Sequence, residues 1–510
     1  MQLLRSLRPL LGALSLKPML LAFVIGAGPA MAADPQPKPQ AQAQPKAQAQ
    51  PQSPPGMAVG KIASTFEQLR VNSVADQLIR YLEKAVDWAS GPASRVSLGS
   101  ITPEIRAAVL AHPEVVLAQE QRLTAAAATR EAFAGFLPQV SSKLETGTRS
   151  YDAVDTPWSR SPAHDDKSKA LSVTASQLLY DFGGVSNKTE ARRALEAAAA
   201  ARSDSKRSEL TLRVVSAWLE LFRAQQLVVV TQMNTLSRQQ VLSFIEEREQ
   251  LGGSSQSDVL RVRARLADAQ SAAVAAQIRL TSAEAVYREM FSAAPPARIG
   301  LPEAVAIDLK KMSVPQAFAA SPLLAEAKAQ IDAADREAKA AAAALLPSFY
   351  LDLSARRRDI GGPGVPGLDW SAGVGVRHNL YAGGAEAARQ RQAEQRATES
   401  RLGQDNLLRQ INRASSQALS DVNNSTAALS ARKEAVQVAA LALEAVREQF
   451  SFRRGTLLDL LRSQEELYIA GRDLVDGIVD HSLSRYRLLH LADELTPLFN
   501  LPAQAPVPRE

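Results

Sequence analysis

The chain has 510 residues, 59 Lys+Arg against 53 Asp+Glu for a net charge of +6, 46% hydrophobic and 5% aromatic residues, and no cysteine. The absence of thiols excludes disulfide scaffolds, cysteine-ligated zinc and thiol catalysis, while few aromatics alongside abundant Ala, Gln, Arg and Glu favour long helices. At roughly 100–200 residues per domain the length suggests about three globular domains, a prior that fails for elongated and repeat architectures.

Residues 1–32 read as an export signal. Arg5, Arg8 and Lys17 precede an apolar stretch from Met19 to Ala27, and Ala30-Met31-Ala32 supplies an A-x-A cleavage site. A membrane anchor is the alternative, but the apolar run is well short of the roughly 20 residues that span a bilayer. Loss of the three leader cations lowers the net charge from +6 to +3, and nothing in that balance argues for nucleic acid. With no cysteine to carry a lipid thioether, the polypeptide itself must hold the protein at any membrane. Residues 33–56 are rich in Pro, Gln and Ala and read as a disordered tether. Residues 57–100 return to an amphipathic helical pattern, a helical extension with no functional reading. No later stretch approaches 18 apolar residues, so no helical membrane span is expected.

The remainder is one unit written twice. His112-Pro113 and Ser321-Pro322 each open a helical pattern, and each is followed by a second Leu-Pro 25 residues after its proline, at Pro138 and Pro347. Both lead to Leu-Tyr and a glycine pair, Leu179-Tyr180 with Gly183-Gly184 and Leu380-Tyr381 with Gly383-Gly384. From each tyrosine it is 78 residues to Asp-[Val/Leu]-Leu-Arg, at Asp258 and Asp459. Repeat one spans 101–291, an inter-repeat segment 292–312, repeat two 313–495, and a C-terminal tail 496–510.

In each repeat the period changes from 3.6 to 2 and back. Phe349, Leu351, Leu353 and Ala355 share one face of a strand, with Tyr350, Asp352, Ser354 and Arg356 opposite; Trp370, Ala372, Val374 and Val376 alternate likewise in the partner strand. Strands are expected at about 139–149 and 170–180, then 348–358 and 369–381, joined by a polar connection from Ser150 to Lys169 and by a Gly- and Pro-rich turn from Gly361 to Gly367. Strands of about ten residues with one apolar face suit a membrane β-barrel; two small hairpins capping a soluble helical bundle are the alternative. Four strands cannot close a barrel, so membrane strands would need several chains. Proline-free stretches after each glycine pair predict very long helices, Val185 to Leu251 and Ala385 to Ser451, with narrow coiled-coil seams such as Leu210, Val214, Ala217, Leu221, Ala224 and Val228. Breaks at Gly252-Gly253 and near Gly455 turn each helix into an antiparallel hairpin.

These ordered and duplicated motifs, His-Pro or Ser-Pro, Leu-Pro, Leu-Tyr with a glycine pair, and the Asp-Val/Leu-Leu turn, resemble the TolC family of outer-membrane export channels over about residues 101–495. The resemblance implies a mainly α chain with a membrane β-barrel: a homotrimer whose protomers give four strands each to one 12-stranded barrel above a periplasmic α-helical tunnel. It implies outer-membrane lipid around the barrel, and a periplasmic adaptor and an inner-membrane ABC or other transporter as partners. By the same resemblance Asp258, Asp459, Phe452 and Arg462 fall at the periplasmic tip and gate. Arg462 and Arg261 stand where the family often has a second acidic residue, which puts a two-layer acidic ring in doubt, and Phe452 stands near a gating tyrosine of some members. Gly252, Gly253, Arg453, Arg454 and Gly455 are candidate adaptor contacts. Asp258 and Asp459 equally suit helix caps, and exposed arginines on a turn equally suit plain solvation.

No catalytic, cofactor or metal constellation is present. The five histidines lack metal spacing, and neither a nucleophile elbow nor a phosphate loop occurs. Three functions are consistent with this chain: a type I secretion duct for unfolded protein, a small-molecule efflux channel of the same architecture, and a soluble periplasmic coiled-coil scaffold.

Overall fold

Two helices of 67 residues each, Gly184–Gln250 and Ala385–Ser451, carry the structure. The computed structural model describes residues 74–90, 95–161, 164–312, 318, 321–358 and 367–502. The export signal, the tether, residues 57–73 and most of the 361–367 turn lie outside the described residues.

In chain order the elements are α1 Val74–Ser90, α2 Leu98–Ala111, α3 Pro113–Phe133, β1 Gln139–Tyr151, β2 Val154–Thr156, β3 Ser159–Ser161, β4 His164–Tyr180, α4 Gly184–Gln250, α5 Gln256–Phe291, α6 Leu309–Met312, α7 Pro322–Ala343, β5 Ser348–Arg358, β6 Gly367–Arg377, α8 Ala385–Ser451, α9 Leu457–Leu491 and α10 Leu495–Leu498. Both prolines of the repeat openings sit at first helical positions, where a missing N–H costs nothing. His112 is the N-cap of α3, its Nδ1 accepting from the Glu114 N–H at 3.3 Å.

The long helices start after two successive left-handed residues, Phe182 (φ 53°) and Gly183 (φ 87°) in one repeat, Gly383 (φ 62°) and Gly384 (φ 79°) in the other. The glycine pairs are therefore out of step by one position: Gly383 answers Phe182, and the two helices begin at Gly184 and Ala385. Asp181 gives the first start a side-chain cap, accepting the N–H groups of Gly183 (3.1 Å) and Val185 (2.6 Å), whereas Ala382 stands at the matching place in repeat two.

Toward the far ends of the long helices the order across the wall is α5, α4, α9, α8; toward the strands it is α3, α4, α7, α8. Helix α8 has the narrow seam expected of a coiled coil: Ile411, Ser415, Ala418, Val422, Leu429, Val436, Leu443 and Phe450 are buried at heptad spacing. Helix α4 does not. Consecutive residues such as Val214, Val215, Ala217, Trp218 and Leu219 are all buried, because neighbours pack on several of its sides. Arg238 is fully buried on α4 and donates to the Leu461 carbonyl (3.0 Å) and to Glu465 (2.8 Å) of α9, tying the two hairpins together.

A girdle crosses the helices midway. Val96 donates to Leu301 (2.9 Å) and accepts from Glu303 (2.8 Å), and Trp218 Nε1 donates to the Gly300 carbonyl at 2.9 Å. Phe499 and Leu501 are buried there, so the segment expected as a tail begins as core. Helix α1 leads into this girdle from the far end of the wall, burying Ala75, Leu78, Leu82 and Ala85. Helix α2 begins at Leu98, inside the expected extension.

The four long strands form one antiparallel sheet in the order β1-β4-β5-β6. Two strand bounds differ from expectation by more than two residues. β4 starts at His164 rather than near 170, with Asp165, Asp166, Lys167 and Ser168 paired to β1; these polar residues alternate with nothing apolar, so backbone pairing alone makes them strand. β6 ends at Arg377, leaving Leu380 and Tyr381 in the exposed turn before α8.

Candidate channel wall and periplasmic tip

Register decides which strand residues share a face, since partners opposite one another point the same way. Phe349 pairs Val376, Leu351 pairs Val374, Leu353 pairs Ala372 and Ala355 pairs Trp370. Across the other boundary Leu353 pairs Ala175 and Ala355 pairs Val173; Val173 and Ala175 in turn oppose Ser142 and Val140, and Leu171 opposes Leu144. Most of this apolar face is left open by the described residues: Leu144 is 73% exposed, Trp370 77%, Val374 68%. A naked apolar band one β-strand crossing tall is what lipid requires. Among the described residues no helix is long and apolar enough to cross a membrane.

The opposite face is polar and internally paired. Arg377 bridges to both oxygens of Asp352 (2.8 and 3.0 Å), Asp352 accepts from Ser176 (2.6 Å), and the Arg377 guanidinium lies 4.0 Å from the Tyr350 ring centroid. Glu145 joins Lys143 to Arg356 (3.5 Å to the latter), and Arg358 meets Asp369 at 2.9 Å. This face is wettable, and its four cations each meet one of three carboxylates, Glu145 being shared by Lys143 and Arg356, which suits the lining of an aqueous duct. The sequence pattern marked the face, but the Arg377–Asp352–Ser176 cluster was not foreseen, because its members come from three strands of both repeats and only register brings them together. β1 and β6 keep one unpaired edge each. Lipid offers no partner for those backbone groups, so further chains must complete the sheet.

At the other end the two hairpin turns have the same construction. Gly252 (φ 74°) and Arg453 (φ 58°) hold the left-handed position that closes α4 and α8. Glycine adopts it freely, whereas an L side chain there costs roughly 1 kcal/mol. Gly253 N donates to the Arg248 carbonyl (2.8 Å) and Arg454 N to the Gln449 carbonyl (2.9 Å). Gly455 allows a close pass, since a Cβ there would lie 3.0 Å from the Phe450 nitrogen. Each returning helix then opens with a capping box. Ser255 Oγ accepts from Asp258 N and donates to the Asp258 carboxylate (3.2 and 2.8 Å); Thr456 Oγ1 does the same with Asp459 (3.2 and 2.6 Å). Both aspartates thus have a defined local role.

Phe452 is 59% exposed beside Arg453, and Arg454 and Arg462 are also exposed. Arg261 approaches Asp258 at 3.9 Å; among the described residues no such ion pair joins Arg462 to Asp459. The structure therefore brings Phe452, Arg453, Arg454, Gly455 and Asp459 together at one turn and Gly252, Gly253 and Asp258 at the other. Arg462 stands one helical turn up α9. Among the described residues no group of His, Asp or Glu could hold a metal ion.

A sheet with one lipid-suited face, one wet face and open edges, carried on a wall of helical hairpins, defines a subunit of a membrane-embedded duct. The sequence profile of outer membrane efflux proteins matches residues 105–289 and 314–477, and the chain belongs to that family. It is 26% identical over 344 residues, 66% of this chain and 75% of the relative, to the outer membrane efflux protein BepC of Brucella suis. Its fold is similar to the outer membrane protein VceC of Vibrio cholerae (TM-score 0.69, 17% identity, 77% of this chain and 96% of that one) and to the CmeC outer membrane channel of Campylobacter jejuni (TM-score 0.69, 13% identity, 77% and 85%). The protein is a passive outer-membrane efflux channel, not an enzyme, with its helical tunnel in the periplasm.

Proposed function

We propose that three copies close one 12-stranded barrel and one tunnel, and that the duct serves type I secretion, carrying unfolded protein from an inner-membrane ABC transporter through a periplasmic adaptor to the exterior. The paired polar face of the sheet is the observation that carries the duct: it wets the lumen without building a fixed binding site for one cargo. Protein as cargo is favoured because many drug-efflux channels of this architecture carry a lipidated cysteine, whereas this sequence holds no cysteine. The turns at Gly252-Gly253 and Phe452 to Gly455 are the proposed adaptor contacts, with Asp258 and Asp459 at the aperture and Arg462 behind them. Small-molecule efflux is the second reading, favoured by the efflux description of the Brucella relative.

The test compares secreted proteins with resistance to dyes and detergents in cells with and without the gene. Loss of one large secreted protein at unchanged resistance is the expected outcome. New dye sensitivity at unchanged secretion would establish the efflux reading, and recovery of the protein from the soluble periplasm would overturn the duct.

A further inference from the structure

A cavity of about 490 Å³ lies between α1 and the tip-proximal ends of α4, α8 and α9. Helix α1 lies outside the residues that the family profile matches. It docks on the side of α4 that also holds the girdle: Gln226 and Gln240 meet α1, Trp218 and Gln225 meet residues 296–300, and Thr235 and Glu246 point the other way, to α5. The Gln240 contact is the Val74 N–H on its Oε1 at 3.0 Å, and an Asp76–Arg447 ion pair further fixes α1 there.

The cavity has an apolar floor of Ile79, Val241, Phe450 and Leu460. Gln464 also lines it. This side chain is 6% exposed, its Nε2 donates to Ser237 Oγ (3.1 Å), and its Oε1 has no partner among the described residues. A buried acceptor left empty costs of order 1–3 kcal/mol, which a donor in the cavity recovers. The charged lining is acidic in balance: Asp76 is matched by Arg447, and Glu83, Glu444 and Glu448 remain against Arg80. These three carboxylates form no ion pair among the described residues, and the carboxylates do not converge into a group that could hold a metal ion. The volume lies in the range of small-molecule sites. A floor for an apolar body, one buried acceptor for an N–H and a diffuse carboxylate rim describe a single ligand chemistry.

We propose that this cavity binds an amphipathic organic cation with an N–H donor. The ligand bridges α1 to the three helices whose ends carry the tip turns, so occupancy clamps the N-terminal extension onto the tunnel wall. The site is independent of the cargo, and its failure would leave the duct reading intact.

The experiment uses the purified full-length channel and ethidium, a planar cation with amine N–H groups, followed by fluorescence anisotropy. Saturable binding is expected, weakened by salt, weakened at least tenfold in Glu444→Gln/Glu448→Gln, and abolished in Ile79→Trp, which fills the cavity. The double Gln variant changes only exposed rim positions, so it remains informative if Ile79→Trp misfolds; Gln464→Leu removes the acceptor and is expected to weaken binding as well. The neutral apolar dye 1-N-phenylnaphthylamine should not compete. Wild-type affinity in the Glu444→Gln/Glu448→Gln and Gln464→Leu variants would place the dye elsewhere and overturn the proposal, as would the absence of saturable binding.

Discussion

Asp459 has a local duty in the capping box of α9, and the proposed function gives it a second one at the aperture that substitutions can separate from the first. Its carboxylate accepts from Thr456 Oγ1 at 2.6 Å, while its backbone N–H is capped by the same hydroxyl. Thr456→Ala removes the cap and should cost about 1 kcal/mol of tunnel stability, leaving ion selectivity in planar bilayers unchanged. Asp459→Asn keeps an acceptor at the same place but removes the charge; it should leave thermal unfolding nearly unchanged while lowering cation preference. Equal selectivity in both variants would confine Asp459 to capping. His481 reports on pH. Burial first, then Arg485, Arg95 and Lys433, pull its imidazole down to about 4 from 6.5. A depressed folded-state value means the unfolded chain takes up a proton first, so this contribution is present above pH 6.5 and is lost as pH falls toward 4. The fall in unfolding temperature between pH 7 and pH 5 should therefore be shallower in His481→Gln. The capping aspartates were legible in the sequence because each stands just past the turn glycines at the start of a returning helical pattern. Buried Arg238 was not, because its partners are the Leu461 carbonyl and Glu465, more than two hundred residues away.

Both long helices were placed to within a residue, but the seam of α8 reads more plainly than that of α4, for one physical reason. A helix at the margin of the wall buries one seam and shows a clean heptad, whereas α4 is flanked by α5, α9, α1, α3 and α7 along its length and loses the polar face that periodicity needs. The strands follow the same rule: β5 and β6 alternate through the lipid-facing band and were placed to within a few residues, while the outer part of β4 is polar on both faces and reads as loop. Helix α1 was read as amphipathic but given no place, since nothing in its own residues names a partner. Its seat depends on a close pass, in which a Cβ added at Gly471 would come within 2.8 Å of both Leu82 methyl carbons. Leu82 is fully buried, so Leu82→Ala should cost about 2–5 kcal/mol of local stability. Gly471→Ala should cost about 1–3 kcal/mol by overpacking. In both variants limited proteolysis should cut α1 while the hairpins α4/α5 and α8/α9 survive. Protection of α1 equal to wild type would show that Leu82 and Gly471 do not hold it.

At the scale of the whole molecule, the duplication was the legible fact, and the membrane was legible only through alternation in strands too few to close. Adjacent residues on β6 turn that inference into a measurement. Val374 belongs to the exposed apolar face with Leu351 as its partner, while Gly373 pairs Asp352 on the polar face and has open space where a Cβ would stand. An arginine at position 374 must enter hydrocarbon, at about 2–4 kcal/mol near the bilayer midplane. An arginine at position 373 projects into water beside a carboxylate. Val374→Arg should therefore reduce the assembled, heat-resistant oligomer recovered from outer membranes, whereas Gly373→Arg should assemble normally and shift single-channel conductance. A soluble scaffold would make the two substitutions equivalent in yield, since both faces would meet water. A one-residue error in register would exchange their effects, because every side chain in the strand would change face.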